Sequence, residues 1–401
     1  MREHRLEVAD VFRQYGAAFL KQWGHTISPQ QRKALRDIGA CRTAALGGHI
    51  EQCDHCSHQA IAYNSCRNRH CPKCQSTARD QWLAERAKEL LPVPYSHVVF
   101  TIPEPLAPLA LQNAKLVYGL LFRAVSQTLL EIAADPRRLG AQIGFLAVLH
   151  SWSQNLLHHP HIHCVVPAGG LAPDGSRWIH CRRKFFLPVT VLSRMFRGKF
   201  LALMREAFAK KDLEFHGQLA PLRESARFHA LLDQLKNIEW VVYAKPPFGG
   251  PEYVLKYLAR YTHRVAISNG RLLSLENGQV TFRWRDSKDN NQSKIMTLDA
   301  VEFIRRFLLH ILPSGFVKIR HFGFLSTRRR SAALALCRER LPKPAAGADT
   351  VPILSDQQQS AIDRRCPVCQ LGRLHIQGWL SAEELLVRIA HAGPAHPVDS
   401  S

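Results

Sequence analysis

Two CxxC pairs near the amino terminus constrain the fold of this chain more than any other sequence feature. Cys53 and Cys56 form the first pair, Cys71 and Cys74 form the second, and 14 residues separate the pairs. Each CxxC turn directs two thiolates toward one point, and a gap of this length lets the second pair return to the first. We therefore predict that these four cysteines bind one structural zinc ion.

Other potential ligands surround the two pairs and leave alternatives open. They could form a second site, or one of them could replace a member of the quartet: Cys41, His49, His58, Cys66 and His70. The chain has eleven cysteines, and in a reducing compartment clustered cysteines bind metal more often than they form disulfides.

A third CxxC pair, Cys366 and Cys369, lies near the carboxyl terminus. It is half of a zinc site or a pair of free thiols. Its partners, if it has any, are expected among His375, Cys337 and His391.

The chain carries a large excess of positive charge. Lys and Arg number 54 against 32 Asp and Glu, which gives a formal charge of +22 at pH 7. Such a surplus favours a polyanionic partner, because every phosphate that Lys or Arg neutralises releases condensed counterions. Nucleic acid is the first candidate, and a merely soluble basic protein is the alternative. Arg67 and Arg69, beside the second CxxC pair, are candidate DNA contacts.

The periodicity of apolar residues predicts three regions. Residues 1–92 are expected to form a helical, zinc-binding and DNA-binding domain, with helices over 5–23, 29–42 and 76–91. Residues 93–340 intersperse strands with helices, which favours an α/β or α+β domain. Its predicted strands cover 96–102, 144–150, 161–166 and 239–244, with short strands around 271–286. Its predicted helices cover 105–133, 189–212, 221–236, 252–264 and 298–311. Residues 341–401 are expected to be a linker and a short tail.

No run of the sequence approaches the ~18 consecutive apolar residues of a membrane helix. The first residues, MREHRLEVADVF, lack the apolar core of a signal peptide. We therefore expect a cytoplasmic protein with no membrane partner. Since 46% of the residues are hydrophobic, the chain has enough apolar residues for a folded core.

A histidine-rich segment, HPHIHCVV, places His161 and His163 two residues apart in a β-branched run. Residues i and i+2 of a strand share one face, so the two imidazoles could hold one divalent cation. The preceding predicted strand ends at His150, which antiparallel pairing would bring beside them as a third ligand. His159 and Gln154 are alternatives for that position, and His150 could instead simply end its strand.

The segment PEYVLKYLARYTHR places Tyr253, Tyr257 and Tyr261 four residues apart, on one face of a predicted helix. An aromatic core stripe is the alternative interpretation. The same segment also carries several cations, of which the first three are candidate DNA contacts: Lys256, Arg260, Arg264 and His263. Phenols mixed with so many cations suit attack on a phosphate better than packing in a dry core.

The histidines and the phenols together define one chemistry. A tyrosine hydroxyl, with a reference pKa of about 10, is a poor nucleophile near neutral pH. A divalent cation on the histidines would polarise the phosphate that the phenol attacks. The product is a phosphotyrosine, which conserves the energy of the phosphodiester bond and permits rejoining without a nucleotide cofactor. Accordingly, the sequence contains no GxxxxGK[ST] phosphate loop.

Five blocks of this chain resemble the HUH-type, two-tyrosine rolling-circle transposases of bacterial insertion sequences, in the order of that family. They are CRTAALGGHIEQCDHC, YNSCRNRHCPKCQ, HSWSQNLLHHPHIHCVVPAGGL, YLARYTHRVAISNGRL and KIRHFGF. The resemblance extends over about residues 5–340. It implies an α+β fold, in which a helical zinc-binding amino-terminal domain precedes an HUH catalytic domain with a central antiparallel sheet flanked by helices.

The resemblance also implies roles for individual residues. It gives the catalytic metal to His161 and His163 and the nucleophile to Tyr257 and Tyr261, with Tyr253 and Tyr257 as an alternative pair. The third metal ligand varies in the family, so His150 remains an inference from strand pairing. The metal would be Mg²⁺ or Mn²⁺, and ligation by histidine favours Mn²⁺.

The function that the resemblance implies is nicking and rejoining of single-stranded DNA at the ends of an insertion sequence. Its partners would be those ends and target DNA in the bacterial cytoplasm, at the nucleoid, with an oligomer as one option for the active form. The alternatives are a replication initiator or relaxase, a non-catalytic zinc-ribbon DNA-binding protein, and a hydrolytic nuclease in which water attacks.

Overall fold

The computed structural model describes residues 5–181, 187–248, 254, 265–286, 289–326, 328, 330–341 and 365–392, with the backbone alone at 76–81, 246–248 and 391–392. The chain divides into two units. The first comprises residues 1–78, 267–311 and 349–401, and the second comprises residues 79–266 and 312–348.

This division differs from the domain boundaries expected from the sequence. The first unit takes residues 267–311 from the expected catalytic region, because a helix at 300–308 packs with the amino-terminal helices and with the strands that precede it. It also takes the described part of the expected tail, because a strand at 374–380 pairs with a strand at 48–53. Contacts between segments distant in sequence determine both changes, and periodicity reports only local structure.

The helices and strands are numbered in chain order. The described helices are α1 (Val8–Trp23), α2 (Pro29–Gly39), α3 (Pro72–Ala87), α4 (Ala107–Gln112), α5 (Ala114–Ala134), α6 (Val189–Ala209), α7 (Ser225–Asn237), α8 (Ala300–Leu308), α9 (Arg330–Arg340) and α10 (Ala382–Ala392). The described strands are β1 (Gly48–Cys53), β2 (Gln59–Tyr63), β3 (Tyr95–Thr101), β4 (Gly144–Trp152), β5 (His158–Pro167), β6 (Gly169–Leu171), β7 (Trp178–His180), β8 (Val242–Phe248), β9 (Leu272–Glu276), β10 (Gln279–Asp286), β11 (Gln292–Asp299), β12 (Ile319–Gly323) and β13 (Leu374–Leu380).

The second unit is built on a five-stranded sheet in the order β12-β4-β5-β3-β8. Every neighbouring pair in it is antiparallel, so the predicted α+β class with a central antiparallel sheet is confirmed. Predicted strands at 96–102, 144–150 and 161–166 correspond to β3, β4 and β5.

Strand alternation gives this sheet two different faces. One face, with Phe100, Ile162 and Leu149, belongs to the largest apolar core, which buried residues of α5, α6 and α7 complete. The opposite face carries Leu146, Val148 and Val165 in a second cluster, together with residues of α9. Since both faces are covered, the polar residues on β4 and β5 are held in a rigid and largely buried setting.

Helix α5 is long and apolar enough to cross a membrane by length and composition alone. However, 61% of its most apolar window of 18 residues is buried, and Leu121, Phe122 and Val125 belong to the main core. The apolar character of α5 is thus accounted for by packing within the second unit.

The first unit combines helices with two three-stranded sheets, β11-β10-β9 and β13-β1-β2. Helices α1 and α8 pack through the rings of Phe12 and Phe307, whose centroids lie 5.2 Å apart in an edge-to-face arrangement. Ser28 caps the start of α2 by accepting a hydrogen bond from the backbone of Gln31. The β13-β1-β2 sheet joins the two ends of the described chain within one fold.

Candidate active site

The predicted metal-binding histidines come together on strands β4 and β5. His150 pairs directly with His161 in the antiparallel register, and Val148 pairs with His163. The three imidazoles therefore project from the same face of the sheet, with one ligand nitrogen of each within 4.8 Å of the others. Antiparallel pairing thus places His150 beside the HxH pair, as the sequence predicted.

Two hydrogen bonds orient the rings of the HxH pair. His161 Nδ1 donates to the carbonyl oxygen of His159 over 2.7 Å. His163 Nδ1 lies 2.8 Å from His97 Nε2, so one of these two nitrogens donates to the other. With Nδ1 engaged in each case, Nε2 is the nitrogen of His161 and His163 that can bind a cation.

His97, on β3, is a functional candidate that the sequence analysis did not identify. Its ring lies parallel to that of His163, with centroids 5.1 Å apart. Burial, and next the nearby Lys245, lowers the pKa of His97 to about 3, so the ring is neutral at physiological pH. The strand predicted at 96–102 contains His97, but the pattern of the sequence does not show that β3 is a neighbour of β5.

The donor set fits a divalent cation. His150 and His163 are buried, with exposed fractions of 3% and 8%, and the ring of Trp152 stacks on His150 at 4.6 Å. Three imidazoles on one face occupy one side of a cation and leave its other positions for oxygen ligands. Such an arrangement can hold a phosphate oxygen against the metal.

His159, an alternative for the third ligand, is less well placed than His150. His159 is half-buried, and burial lowers its pKa. Its ring is tilted by 47° against that of His161, with centroids 5.4 Å apart, and it lies outside the cluster of converging nitrogens. His150 is therefore the third residue that the strands bring to the pair.

The predicted nucleophiles Tyr257 and Tyr261 lie outside the described residues, as do Tyr253, Lys256, Arg260 and Arg264. Val254 is the described residue of that segment. It is helical and fully buried, and it packs in the cluster that contains Val148 and Val165. Val148 and Val165 lie two residues from His150 and His163 on the same face of the sheet.

The structure corrects the predicted zinc quartet, because it divides the two CxxC pairs between different clusters. Cys71 and Cys74 converge with Cys41 and Cys66, whereas Cys53 and Cys56 converge with Cys366 and Cys369. The spacing between the first two pairs suited a single site, but strand β1 turns the first pair toward the carboxyl-terminal segment instead. Two of the residues set aside as extra ligands, Cys41 and Cys66, thus complete the second pair.

The cluster of Cys41, Cys66, Cys71 and Cys74 has the dimensions of a zinc site. Cys41 Sγ lies 3.7 Å from Cys74 Sγ and 3.6 Å from Cys71 Sγ. Four thiolates at a Zn–S distance of about 2.3 Å in a tetrahedron stand about 3.8 Å apart. The hydrogen bond from Cys66 lowers the pKa of Cys41 to about 7, which favours the thiolate that zinc binds.

Comparisons with known proteins agree with both halves of this description. A family model described as "Transposase zinc-binding domain" matches residues 11–102, and a model described as "Putative transposase" matches residues 144–332. "Putative transposase y4qJ" of Sinorhizobium fredii (strain NBRC 101917 / NGR234) is 55% identical over 375 residues, covering 92% of this chain and 94% of the relative. The chain belongs to the IS91/IS801 family of transposases.

A second relative, "Transposase for insertion sequence element IS801" of Pseudomonas savastanoi pv. phaseolicola, is 28% identical over 335 residues, which cover 80% of this chain and 76% of the relative. No solved structure matches the chain. As a transposase, the protein cleaves DNA and transfers its strands. The transposase model spans the histidine strands and the tyrosine segment, while the zinc-binding model contains Cys41, Cys66, Cys71 and Cys74.

The two arginines predicted to contact DNA lie in the zinc-binding part of this transposase. Arg67 is exposed, with a left-handed backbone (φ 51°) directly after Cys66. Arg69 is half-buried, and burial lowers its pKa. Arg67 is therefore the better placed of the two for a phosphate contact from the surface.

Proposed function

We propose that this transposase nicks and rejoins single-stranded DNA at the ends of its insertion sequence through 5′-phosphotyrosine intermediates, in metal-dependent rolling-circle transposition. The observation that carries the proposal is the convergence of His150, His161 and His163 on one face of an antiparallel sheet. The protein would act on bacterial DNA in the cytoplasm, at the nucleoid, with single-stranded element ends and target DNA as its partners.

In this proposal Mg²⁺ or Mn²⁺ occupies the histidine cluster and, when bound, withdraws charge from a non-bridging phosphate oxygen. The histidines supply three neutral nitrogen ligands, and the carbonyl of His159 keeps His161 Nε2 directed away from its own backbone. Nitrogen ligands favour Mn²⁺ over Mg²⁺, which prefers oxygen. The two metals are therefore expected to differ in the rate that they support.

Val254 supports a position for the tyrosines near the histidines. On the helix that the sequence predicts over 252–264, Tyr257 and Tyr261 follow Val254 by three and seven residues, which puts all three on one side. Val254 is buried against the cluster that extends the histidine face of the sheet. A helix that is anchored there would direct both phenols toward the same face.

The surroundings of the histidines favour a phosphate. Lys245 on β8 pairs with His97 in the register, so its exposed ammonium group belongs to the same face as the histidines. The formal charge of +22 provides long-range attraction for DNA. Lys245 would hold a phosphate, and the charge of the whole chain would raise the local concentration of DNA.

The tyrosines would carry the covalent step. When one phenol oxygen attacks phosphorus, it loses its proton and forms a 5′-phosphotyrosine, while the bond between phosphorus and the 3′ oxygen breaks and that oxygen takes up a proton to leave as a DNA 3′ hydroxyl. In the reverse step, a 3′ hydroxyl attacks the phosphotyrosine, restores a phosphodiester bond and releases the phenol. Two tyrosines would let the protein hold two strand ends at once, without any nucleotide cofactor.

A covalent-adduct assay tests this proposal. Single-stranded DNA with the element end, incubated with the protein and Mn²⁺ or Mg²⁺, should give a protein–DNA adduct on denaturing gels. The adduct should be lost in the variant that combines Tyr257→Phe and Tyr261→Phe and should persist in Tyr243→Phe, which alters an exposed tyrosine on β8. His161→Ala should still bind the DNA but should lower adduct formation by at least about 100-fold.

Two results would contradict the proposal. An undiminished adduct in the double tyrosine variant would exclude those nucleophiles, and Tyr253→Phe would then test the alternative pair. Cleavage that leaves free 5′ phosphate and no adduct at any time would indicate attack by water, as in a hydrolytic nuclease.

A further inference from the structure

The second cysteine cluster joins the two ends of the chain. Cys53 Sγ lies 3.7 Å from Cys369 Sγ, and Cys56 Sγ lies 3.6 Å from Cys366 Sγ. These distances match the spacing of about 3.8 Å in a tetrahedral zinc–thiolate site. They are far longer than the disulfide bond length of about 2.05 Å, so the four sulfurs are arranged as separate thiols around a common centre.

The two CxxC turns of this cluster have the same backbone geometry. The residue after the second cysteine has a left-handed backbone in both, at Ser57 (φ 57°) and Gln370 (φ 56°). Ser57 N donates to the carbonyl of Cys53 over 3.1 Å, and Gln370 N donates to that of Cys366 over 3.0 Å. One loop conformation thus occurs twice and presents two thiols from each copy.

Backbone N–H groups also point at the sulfurs. His55 N donates to Cys53 Sγ and Gly372 N donates to Cys369 Sγ, each over 3.4 Å. Such bonds stabilise a thiolate more than a neutral thiol, because the acceptor carries the negative charge. These hydrogen bonds would stabilise four neutral thiols only weakly.

Gly372 shows how closely the two loops approach. A Cβ atom at this position would lie 2.5 Å from Cys53 Sγ and 2.5 Å from Asp54 Oδ1. Asp54 in turn accepts hydrogen bonds from Arg373 N over 2.8 Å and from His375 Nε2 over 3.1 Å. The loop at 366–372 is therefore shaped to fit against the loop at 53–56, beside the pairing of β13 with β1.

We propose that Cys53, Cys56, Cys366 and Cys369 bind a second zinc ion, which fastens the carboxyl-terminal segment of the chain to its amino-terminal zinc-binding region. The match to the transposase zinc-binding model ends at residue 102 and so contains two of these four ligands. The four ligands can assemble only in a chain that extends to residue 369, because the two ligand pairs lie 310 residues apart. The proposal stands independently of the chemistry at the histidines.

Elemental analysis of the purified full-length protein tests the number of metal ions. We expect two zinc ions per chain in the native protein and one in the variant that combines Cys366→Ser and Cys369→Ser. The matched control is Cys181→Ser, which alters a half-buried cysteine outside both clusters and should retain two. A native protein with one zinc ion, or a double variant with two, would overturn the proposal.

A footprinting experiment on the native protein remains decisive even if the variants fail to fold. Iodoacetamide should leave Cys56 and Cys369 unmodified in the zinc-loaded protein, although Cys56 is exposed, and should alkylate both after chelation. Peptide mass spectrometry reads each cysteine separately. Rapid alkylation of Cys56 and Cys369 before chelation, or a disulfide between them and their partners in fresh protein, would refute the second site.

Discussion

The orientation of a metal-binding imidazole depends on a partner beyond the metal, and we propose that His97 is that partner for His163. The 2.8 Å contact of His97 Nε2 with His163 Nδ1 engages that nitrogen and leaves Nε2 of His163 for the expected cation. We therefore predict that His97→Ala weakens Mn²⁺ binding by about 10- to 100-fold. Isothermal titration with Mn²⁺ measures the change directly.

Two controls separate this positioning role from a structural one. His229→Ala removes a half-buried histidine of α7 and should leave Mn²⁺ affinity unchanged, and excess Mn²⁺ should restore DNA cleavage in His97→Ala. An unaltered affinity in His97→Ala, or a loss of cleavage that no concentration of Mn²⁺ reverses, would show that His97 does not act through the metal.

The histidines of the candidate active site could be predicted from the sequence where a local pattern brings them together. Strand alternation put His161 and His163 on one face, and a short connection to the preceding strand brought His150 to them. His97 required knowledge of which strand lies beside β5, since it comes from β3, more than 60 residues earlier. Sequence periodicity carries no information about that neighbour.

At the scale of elements, the end of edge strand β12 depends on a very close backbone approach. Gly323 has a left-handed backbone (φ 60°), and a Cβ there would lie 1.8 Å from the carbonyl oxygen of Ile143. We predict that Gly323→Ala destabilises the second unit by about 2–4 kcal/mol, because the backbone cannot retreat without breaking the pairing with Gly144. Urea denaturation compares the free energies of unfolding.

Gly198 provides a matched control for that substitution. It lies within α6 with no atom near the position of a Cβ, so Gly198→Ala should stabilise the protein by about 0.5–1 kcal/mol. Equal effects of the two substitutions would mean that the approach at Gly323 imposes no constraint on the sheet.

Elements with strong periodicity were predicted well, and short ones were not. The three central strands and helices α6 and α7 lie close to their predicted bounds, whereas the helix predicted over 105–133 is divided between α4 and α5. Strand β12, with only five residues and Arg320 and His321 in its middle, shows neither alternation nor an apolar run. Its place at the edge of the sheet follows from pairing with β4, which a local pattern does not encode.

At the scale of the whole molecule, the grouping of the cysteines into clusters is the feature that spacing in the sequence predicted wrongly. The spacing between Cys56 and Cys71 suits a single site, yet each pair has its partners elsewhere. Cys41 lies in the turn that follows α2, and Cys366 is 310 residues from Cys56. Spacing rules favour the nearest pair, whereas the fold brings β13 to β1.

This arrangement leads to a prediction about metal removal. In the part of the chain that the structure describes, the β13-β1-β2 sheet packs on a small apolar cluster whose buried members are Ala44, Leu380 and Leu385, whereas β4 and β5 lie in the large core of the second unit. A three-stranded sheet that packs on so few buried apolar residues is expected to depend on metal for its local stability. Chelation of zinc should therefore increase hydrogen exchange at the amides of β1, β2 and β13 by more than about tenfold, with little change in β4 and β5.

Hydrogen-exchange mass spectrometry with and without chelator follows both sheets in one sample, and readdition of Zn²⁺ should restore the protection of β1, β2 and β13. Protection of β13 that persists after both clusters have lost their metal would show that strand pairing alone holds the carboxyl-terminal segment. Simultaneous loss in β4 and β5 would show that the two units unfold together, although their apolar clusters are separate. Loss of protection in β1, β2 and β13 alone, in contrast, would show that zinc holds the two ends of the described chain in one domain. The sheet of β4 and β5 would then be stabilised by its own apolar core.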